Sequence, residues 1–394
     1  MIIGVVGKPN VGKSTLFNAA TLADVDIANY PFATIKPNHG VGFATIDCVD
    51  KAFNTQCNPR EGFCKNHKRF VPVNMIDVAG LVPGAHEGKG LGNEFLNDLL
   101  PADALIHVID ASGSTNAKGE PVEPGTYDPI EDVKFLETEL DMWYLNILKR
   151  GWEKFARTIQ QEQLNPVKAI AKQLSGLKVT EDIVKPIVKT MNQNPTQWTE
   201  HELLHLAREL RTYTKPMIIA ANKIDLAPSA HNLDNLKKQF PCHTIIPCAA
   251  DAELALREAD KNNIIDYLPG NNTFAIKGPI NDKQQHALEF IKTAVLDTYR
   301  TTGVQDIINT AVFTMLRYIC IFPGGVNKLE DKDGNVLPDC FLMPHGTTAL
   351  DFAFRLHTDI GNNFVKAIDV TTKKPVGKDH ILHHRDIIEI MVKH

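Results

Sequence analysis

The sequence predicts an open, doubly wound α/β sheet carrying a helical insertion and followed by a small α+β module. Three features of the 394-residue chain lead there. Short apolar runs at 2–6, 71–76, 105–109, 217–221 and 244–246 end at Gly7, Asp77, Asp110, Asn222 and Pro247-Cys248. Such runs fit strands buried on both faces of a parallel sheet, with ligand groups at their carboxyl ends. Between 128 and 214 the apolar residues recur at helical spacing, and beyond 310 short apolar stretches flank one helix.

Taken in order, the run 2–6 leads through Gly7-Lys8-Pro9-Asn10-Val11-Gly12-Lys13-Ser14 into a helix that begins Ser14-Thr15-Leu16-Phe17. This is G-x-x-x-x-G-K-[ST] between a strand and a helix, the context that gives the motif its meaning. The glycines let the backbone wrap phosphate oxygens, and the helix N-terminus supplies positive potential. Lys13 is expected to reach the β- and γ-phosphates, and the Ser14 hydroxyl to ligate Mg²⁺. Residues 8–15, from Lys8 and Pro9 to Thr15, form the expected phosphate cradle.

Tyr30-Pro31-Phe32-Ala33-Thr34 follows that helix, and Thr34 is positioned by sequence to complete the metal shell when a γ-phosphate is present. Asp77-Val78-Ala79-Gly80 ends the second run. Its carboxylate can hold Mg²⁺ through water, and the Gly80 amide can bond the γ-phosphate. Lys13, Thr34 and Gly80 are therefore the candidate catalytic residues, with Ser14, Thr34 and Asp77 as the metal set.

Asn222-Lys223-Ile224-Asp225 follows the fourth run. Guanine presents N1–H and an amino group on one edge, and Asp225 can accept both. Adenine lacks this donor pair and would leave the carboxylate unpaired, a costly outcome in a desolvated site. The Lys223 stem can pack over the base, and Asn222 can brace the loop. After the fifth run, a backbone amide of Cys248-Ala249-Ala250 is placed to touch the guanine carbonyl.

Two segments interrupt the sheet pattern. Residues 54–68 are polar, and Asn58-Pro59-Arg60-Glu61-Gly62 reads as a β-hairpin tip. Cys57, Cys64 and His67, with Cys48 nearby, are metal-ligand types, but a fourth ligand at a regular spacing is missing, so the segment reads as a hairpin with free thiols. In the larger insertion, Asp128 with Pro129 and Glu131 opens a helix carrying Val133, Leu136, Leu140, Trp143 and Ile147. Thr199 to Glu202 reads as a capping box for the helix of Leu203, Leu206 and Leu210. Trp143 and Trp152 are expected to pack this insertion. In the last module Thr348 with Asp351 caps a helix over 349–357, and Phe352, Phe354 and Leu356 are expected in its core.

A net charge of −5 gives no global field to attract nucleic acid, so an RNA contact needs a local patch, and none is marked in the insertion or the last module. Seven scattered cysteines read as reduced thiols. The first apolar run is too short for a secretory signal, and no stretch is long enough to span a bilayer. A cytoplasmic location, without membrane or DNA as partner, is the expectation.

The runs Asn29-Tyr30-Pro31-Phe32-Ala33-Thr34-Ile35-Lys36-Pro37-Asn38, Asp77-Val78-Ala79-Gly80-Leu81-Val82-Pro83-Gly84-Ala85 and Gly88-Lys89-Gly90-Leu91-Gly92-Asn93 resemble Obg-family P-loop GTPases. The branch resembled is the archaeal and fungal sisters of YchF. Gly334-Asn335-Val336-Leu337-Pro338 onward looks like a TGS domain of β-grasp fold. The resemblance implies a GTPase domain over 1–127 and 215–309, a helical insertion over 128–214 and a TGS domain over 310–394. It also implies a link to ribosomes and translation, with ribosome or RNA contacts through the helical and TGS regions.

Leu81 stands where many small GTPases place a water-orienting glutamine, so hydrolysis needs another source of that function. Asn10 matches the asparagine that coordinates K⁺ in related potassium-dependent GTPases, and alternatively it braces its own loop. YchF relatives depart from N-K-x-D and favour ATP, whereas Asp225 here favours GTP. Ala249 stands where the family usually has serine. His86 reads as a solvent-exposed residue of the second switch. Three readings follow: a GTP-hydrolysing switch, an adenine-nucleotide hydrolase like YchF, and an RNA- or ribosome-binding module with negligible turnover.

Overall fold

The computed structural model describes residues 1–21, 39–78, 98–192 and 194–393. Strands β1 (Ile2–Val6), β2 (His39–Asp47), β3 (Phe63–Lys65), β4 (Lys68–Asp77), β5 (Ala104–Asp110), β6 (Met217–Asn222) and β7 (Thr244–Pro247) join in the order β2-β4-β1-β5-β6-β7, with β3 on β4. The pairs β1/β4, β1/β5, β5/β6 and β6/β7 are parallel. All residues of β5 and β6 are buried, which explains why these strands show as unbroken apolar runs. Because the chain crosses from β1 to neighbours on both sides, the carboxyl end of β1 is a topological switch point, where such sheets bind ligands.

The described residues pack as two compact units, the first drawn from Met1–Ala19 and Asn74–Ile307, the second from Val41–Val73 and Ile308–His394. This division differs from the one expected, since 41–73 joins the C-terminal region and the helical insertion is not a unit of its own. In the first unit, α1 (Lys13–Thr21) follows β1. The insertion comprises α2 (Ile130–Lys149), α3 (Trp152–Gln161), α4 (Pro166–Gln173), α5 (Glu181–Lys189) and α6 (Glu200–Thr214). The Asp128 carboxylate accepts from the Ile130 amide at 3.0 Å, and the Thr199–Glu202 capping box opens α6. Leu136, Leu140 and Trp143 of α2 and Leu203, Leu206 and Leu210 of α6 share one core with Val6, Ile76 and Leu105 of the sheet. Trp152 stacks on Trp198 with ring centroids 5.4 Å apart. After α6, the buried Lys215 ammonium donates to the carbonyls of Leu99 and Leu100 at 2.9 and 2.8 Å. Helices α7 (Ser229–Gln239) and α8 (Ala250–Lys261) follow β6 and β7, and β8 (Ile265–Tyr267) pairs with β9 (Phe274–Ile276).

In the second unit, β10 (Tyr318–Pro323), β11 (Phe341–Pro344), β12 (Phe364–Asp369), β13 (Lys374–Val376) and β14 (Asp386–Val392) form a sheet in the order β11-β10-β14-β12-β13. The helix α9 (Ala349–Leu356) is opened by the Thr348–Asp351 capping box. Side chains alternate across a strand. Ile319 and Ile321 of β10 therefore pack with Phe352 on one face, while Cys320 and Phe322 pack with Ile46, Cys48, Cys57 and Val71 on the other. Phe354, expected in the core, is 44% exposed, because it sits two residues from Phe352 on a helix and faces away from the sheet.

The hairpin tip also lies elsewhere than expected. Asn66 and His67 have φ of 54° and 58° and join β3 to β4 in a two-residue turn that needs positive φ at both positions. The segment expected as the tip runs alongside 336–338, with the Asn58 and Arg60 amides donating to the Val336 and Pro338 carbonyls at 2.9 and 3.0 Å.

Candidate functional site

At the carboxyl end of β1 the loop 7–12 turns back on the sheet. Gly7 (φ +153°) leaves no space for a side chain, since a Cβ there would stand 2.4 Å from the Val108 carbonyl oxygen. At Gly12 (φ +90°) a Cβ would stand 2.2 Å from the Asn222 side-chain amide. Both positions need glycine on conformation and on space. The helix α1 then starts at Lys13, so its first backbone amides have no intrahelical acceptor and point toward the loop.

The β1/β4 register pairs Val5 with Asp77 and brings the end of β4 beside this loop. Lys13 Nζ lies 3.2 Å from Asp77 Oδ1, and Ser14 Oγ donates to Asp77 Oδ2 at 2.9 Å. Lys13, Ser14 and Asp77, separated by more than sixty residues of chain, thus meet as a cation, a hydroxyl and a carboxylate. Thr15 continues α1 behind them. Thr34, Gly80, Leu81 and His86 lie outside the described residues.

The base-reading motif is tied to the phosphate loop by Asn222. Its Nδ2 donates to the buried Val11 carbonyl at 2.8 Å, and its Oδ1 accepts from the Ala250 amide at 3.0 Å. Lys223 takes φ +62° and extends its ammonium to Asp110 Oδ2 at 3.0 Å and Ser114 Oγ at 3.2 Å. The Asp225 carboxyl is raised above its ordinary range, chiefly by burial, with a hydrogen bond from its own amide opposing that shift. A half-buried carboxylate whose charge is costly gains most from an external pair of donors.

The amides expected to meet a base carbonyl are engaged within the protein. Cys248 N–H donates to Ala221 O at 2.8 Å, Ala249 N–H to Thr302 O at 2.9 Å, and Ala250 N–H to Asn222 Oδ1. Their donors serve to hold the loop after β7 against β6 and the 302 segment.

Two buried clusters, around Asp110 and around Lys8, have no counterpart among the sequence expectations. Asp110, fully buried at the end of β5, accepts from the hydroxyls of Ser112, Ser114 and Thr115 and from Lys223. Burial opposes its charge, but the bonds from Ser112, Ser114 and Lys223 outweigh it and hold the carboxyl below its ordinary range. The hydroxyl-rich run after Asp110 was the available signal. Lys8, 4% exposed, pairs with Asp132 of α2 at 2.8 Å, donates to Thr115 O at 3.0 Å and lies over the Tyr127 ring at 3.9 Å. Burial lowers the Lys8 pKa, with Asp132 opposing. Asn10 Nδ2 donates to Gly119 O at 2.9 Å, so Asn10 braces the loop against the segment after β5, and a cation would have to take its Oδ1.

A parallel sheet with this glycine loop, a lysine–serine–aspartate cluster and an N-K-x-D loop at its carboxyl edge defines a P-loop nucleotide-binding protein of the GTPase type. Family comparisons agree along the chain. Residues 2–138 match the 50S ribosome-binding GTPase family. Residues 220–325 match the Obg-like GTPase YGR210-like, G4 motif-containing domain, and residues 331–392 match the TGS domain. An uncharacterized GTP-binding protein of Methanocaldococcus jannaschii is 49% identical, over 99% of this chain and 98% of its own length. The crystal structure of a GTP binding protein from Pyrococcus horikoshii OT3 is 38% identical with a TM-score of 0.79, covering 100% of both chains. A protein of Buchnera aphidicola named ribosome-binding ATPase YchF is 28% identical, over 95% of this chain and 91% of its own. The chain belongs to the YchF/Obg-like family of GTP-binding proteins, which has archaeal and fungal members. Among the described residues no helix is long and apolar enough to cross a membrane.

Proposed function

We propose that this chain binds GTP and GDP and hydrolyses GTP to GDP and phosphate with Mg²⁺, as a nucleotide-dependent switch acting with the ribosome in the cytoplasm. The observation that carries the proposal is the meeting of Lys13, Ser14 and Asp77 at the mouth of a loop braced by Asn222. Ser14 Oγ and Asp77 Oδ2, 2.9 Å apart, form an all-oxygen donor set that suits a hard divalent cation. Ser14 would ligate Mg²⁺ directly, Asp77 through water, and Thr34 would complete the set. Bound there, Mg²⁺ neutralises charge on the β- and γ-phosphates.

The chain's own groups would do the rest. Lys13, released from Asp77, binds the β- and γ-phosphate oxygens, and the α1 amides hold the phosphates in place. Water attacks the γ-phosphorus in line, the bond to the β–γ bridging oxygen breaks, and GDP leaves with phosphate as the second product. Gly80 is the candidate amide for the γ-phosphate. Leu81 cannot orient the water, so that role falls to a group supplied from elsewhere. K⁺ held by Asn10 Oδ1 is one source of the missing charge stabilisation, and a ribosomal or RNA partner is another. The ribosome link rests on the relatives named ribosome-binding ATPase, and the helical and TGS regions are the surfaces proposed to make it.

Single-turnover hydrolysis by the full chain, in K⁺ and in Na⁺ and with or without ribosomes, tests this reading. Stimulated cleavage of GTP, lost in Lys13→Ala, is expected. Absence of cleavage under every condition would leave only a nucleotide-locked binding module.

A further inference from the structure

Outside the nucleotide site, the second unit gathers side chains that the sequence scatters. Cys48 follows β2, Asp50 sits in the short 3-10 helix Val49–Phe53, Cys57 lies in the following loop and Cys64 in β3. One ligand atom from each of these four lies within 4.8 Å of all the others. Cys48 Sγ and Cys57 Sγ are 3.4 Å apart, and Cys64 Sγ is 3.8 Å from Asp50 Oδ2. A tetrahedral zinc with Zn–S bonds of about 2.3 Å spaces its sulfurs by about 3.8 Å. The sulfur pair lies well beyond the ~2.05 Å of a disulfide.

We infer that Cys48, Cys57, Cys64 and Asp50 form a structural zinc site. Three thiolates and one carboxylate select a borderline-soft cation that takes four ligands, and a closed set without an open position is a structural site. Binding displaces the three thiol protons to solvent and leaves two net negative charges on the cluster. Its surroundings are arranged for that charge. Arg69, 1% exposed, directs Nη1 to Cys57 Sγ at 3.4 Å. The Cys57 amide donates to Asp50 Oδ2 at 2.9 Å. His67 Nδ1 lies 3.0 Å from Asp50 Oδ1, the carboxylate–histidine contact that orients metal ligands. Asp50 itself is fully buried, where an unneutralised carboxylate among thiols is costly.

The site also has a structural purpose. Arg69 donates to the carbonyls of Leu337 and Pro338, both at 2.9 Å. Zinc would therefore fix the 48–67 segment and, through Arg69, the strand-like 336–338 stretch beside the C-terminal sheet. The ligands span an irregular spacing, and part of their meeting is set by the Asn66-His67 turn after β3, to which the Cys48 amide donates at His67 O, 2.7 Å away.

The test uses the full-length chain, purified without chelator and kept reduced. Elemental analysis should find about one zinc per chain. The protein reloaded with Co²⁺ should show thiolate-to-cobalt charge transfer with the ligand-field intensity of a tetrahedral site, displaced by zinc. Cys64→Ser should remove that signature while GTP binding persists, which separates metal loss from misfolding. His67→Ala should weaken zinc by about 10–100-fold with the bands retained. Substoichiometric zinc and no cobalt–thiolate band in the reduced wild-type chain would overturn the proposal. So would unchanged zinc affinity in Asp50→Asn, which would remove Asp50 from the ligand set.

Discussion

Replacing Asn222 by alanine should damage nucleotide binding by loosening the loop 7–12 that it braces. The side chain is 1% exposed and makes two buried bonds, to Val11 O at 2.8 Å and from Ala250 N at 3.0 Å. Truncation leaves one carbonyl and one amide unpaired, at about 1–3 kcal/mol each. Part of that total of about 2–6 kcal/mol is lost from global stability, and part from the preference of loop 7–12 for its braced position. If about 2 kcal/mol falls on the loop, the binding-competent population drops about 30-fold and the apparent Kd rises by the same factor. Titration of the full chain with a fluorescent GDP analogue measures this, with thermal unfolding of the nucleotide-free protein as the stability control. Asn222→Asp should bind more weakly still, because it keeps the acceptor for Ala250 but sets a carboxylate against the Val11 carbonyl. Unchanged affinity in Asn222→Ala, alongside lost binding in Lys13→Ala, would refute the brace.

Two further outcomes follow from buried charges. Asp132→Ala leaves the Lys8 ammonium buried with only Thr115 O and the Tyr127 ring, and should cost about 3–5 kcal/mol in urea unfolding; Lys8→Met with Asp132→Leu should recover most of it. His107 is 2% exposed on β5, its Nδ1 has no hydrogen-bond partner among the described residues, and burial depresses its pKa from 6.5 to about 3, against the opposing pull of Glu137. The unfolded chain takes up this proton below pH 6.5 while the folded chain does not, so the stability is present above that pH and is lost as pH falls toward 3. About 2.7 kcal/mol should be gone by pH 4.5, and His107→Phe should flatten that slope in acid unfolding.

The parallel strands were legible because burial on both faces writes them as apolar runs, and their polar ends marked the site. Caps such as Thr199–Glu202 and Thr348–Asp351 were legible for a local reason: both partners lie within one turn. What depends on distant partners was not. Asn58-Pro59-Arg60-Glu61-Gly62 has the composition of a tip, yet the turn forms at Asn66-His67, residue types that tolerate positive φ but mark a turn more weakly than a run with Pro and Gly. The insertion's helices were visible, but not that α2 and α6 share the sheet's core. Asn222 was read as a brace and proves to be one. The amides of Cys248, Ala249 and Ala250, expected beside the base, donate to Ala221 O, Thr302 O and Asn222 Oδ1, partners that no local pattern marks. Lys8, expected in the phosphate cradle, and Asp110, expected only as the polar end of a strand, are held by Asp132 and Lys223, partners more than a hundred residues away that local sequence does not reveal.

Competition of ATP against GTP for the full-length chain, wild type and Asp225→Ala, tests most directly the claim that this site selects guanine. Two hydrogen bonds to a charged carboxylate, at about 1.5–3 kcal/mol each, give GTP at least a hundredfold advantage over ATP. That advantage should be present in the wild type and largely gone in Asp225→Ala, with phosphate-dependent binding retained through Lys13. ATP bound as tightly as GTP by the wild type, or an unaltered preference in the variant, would contradict the account.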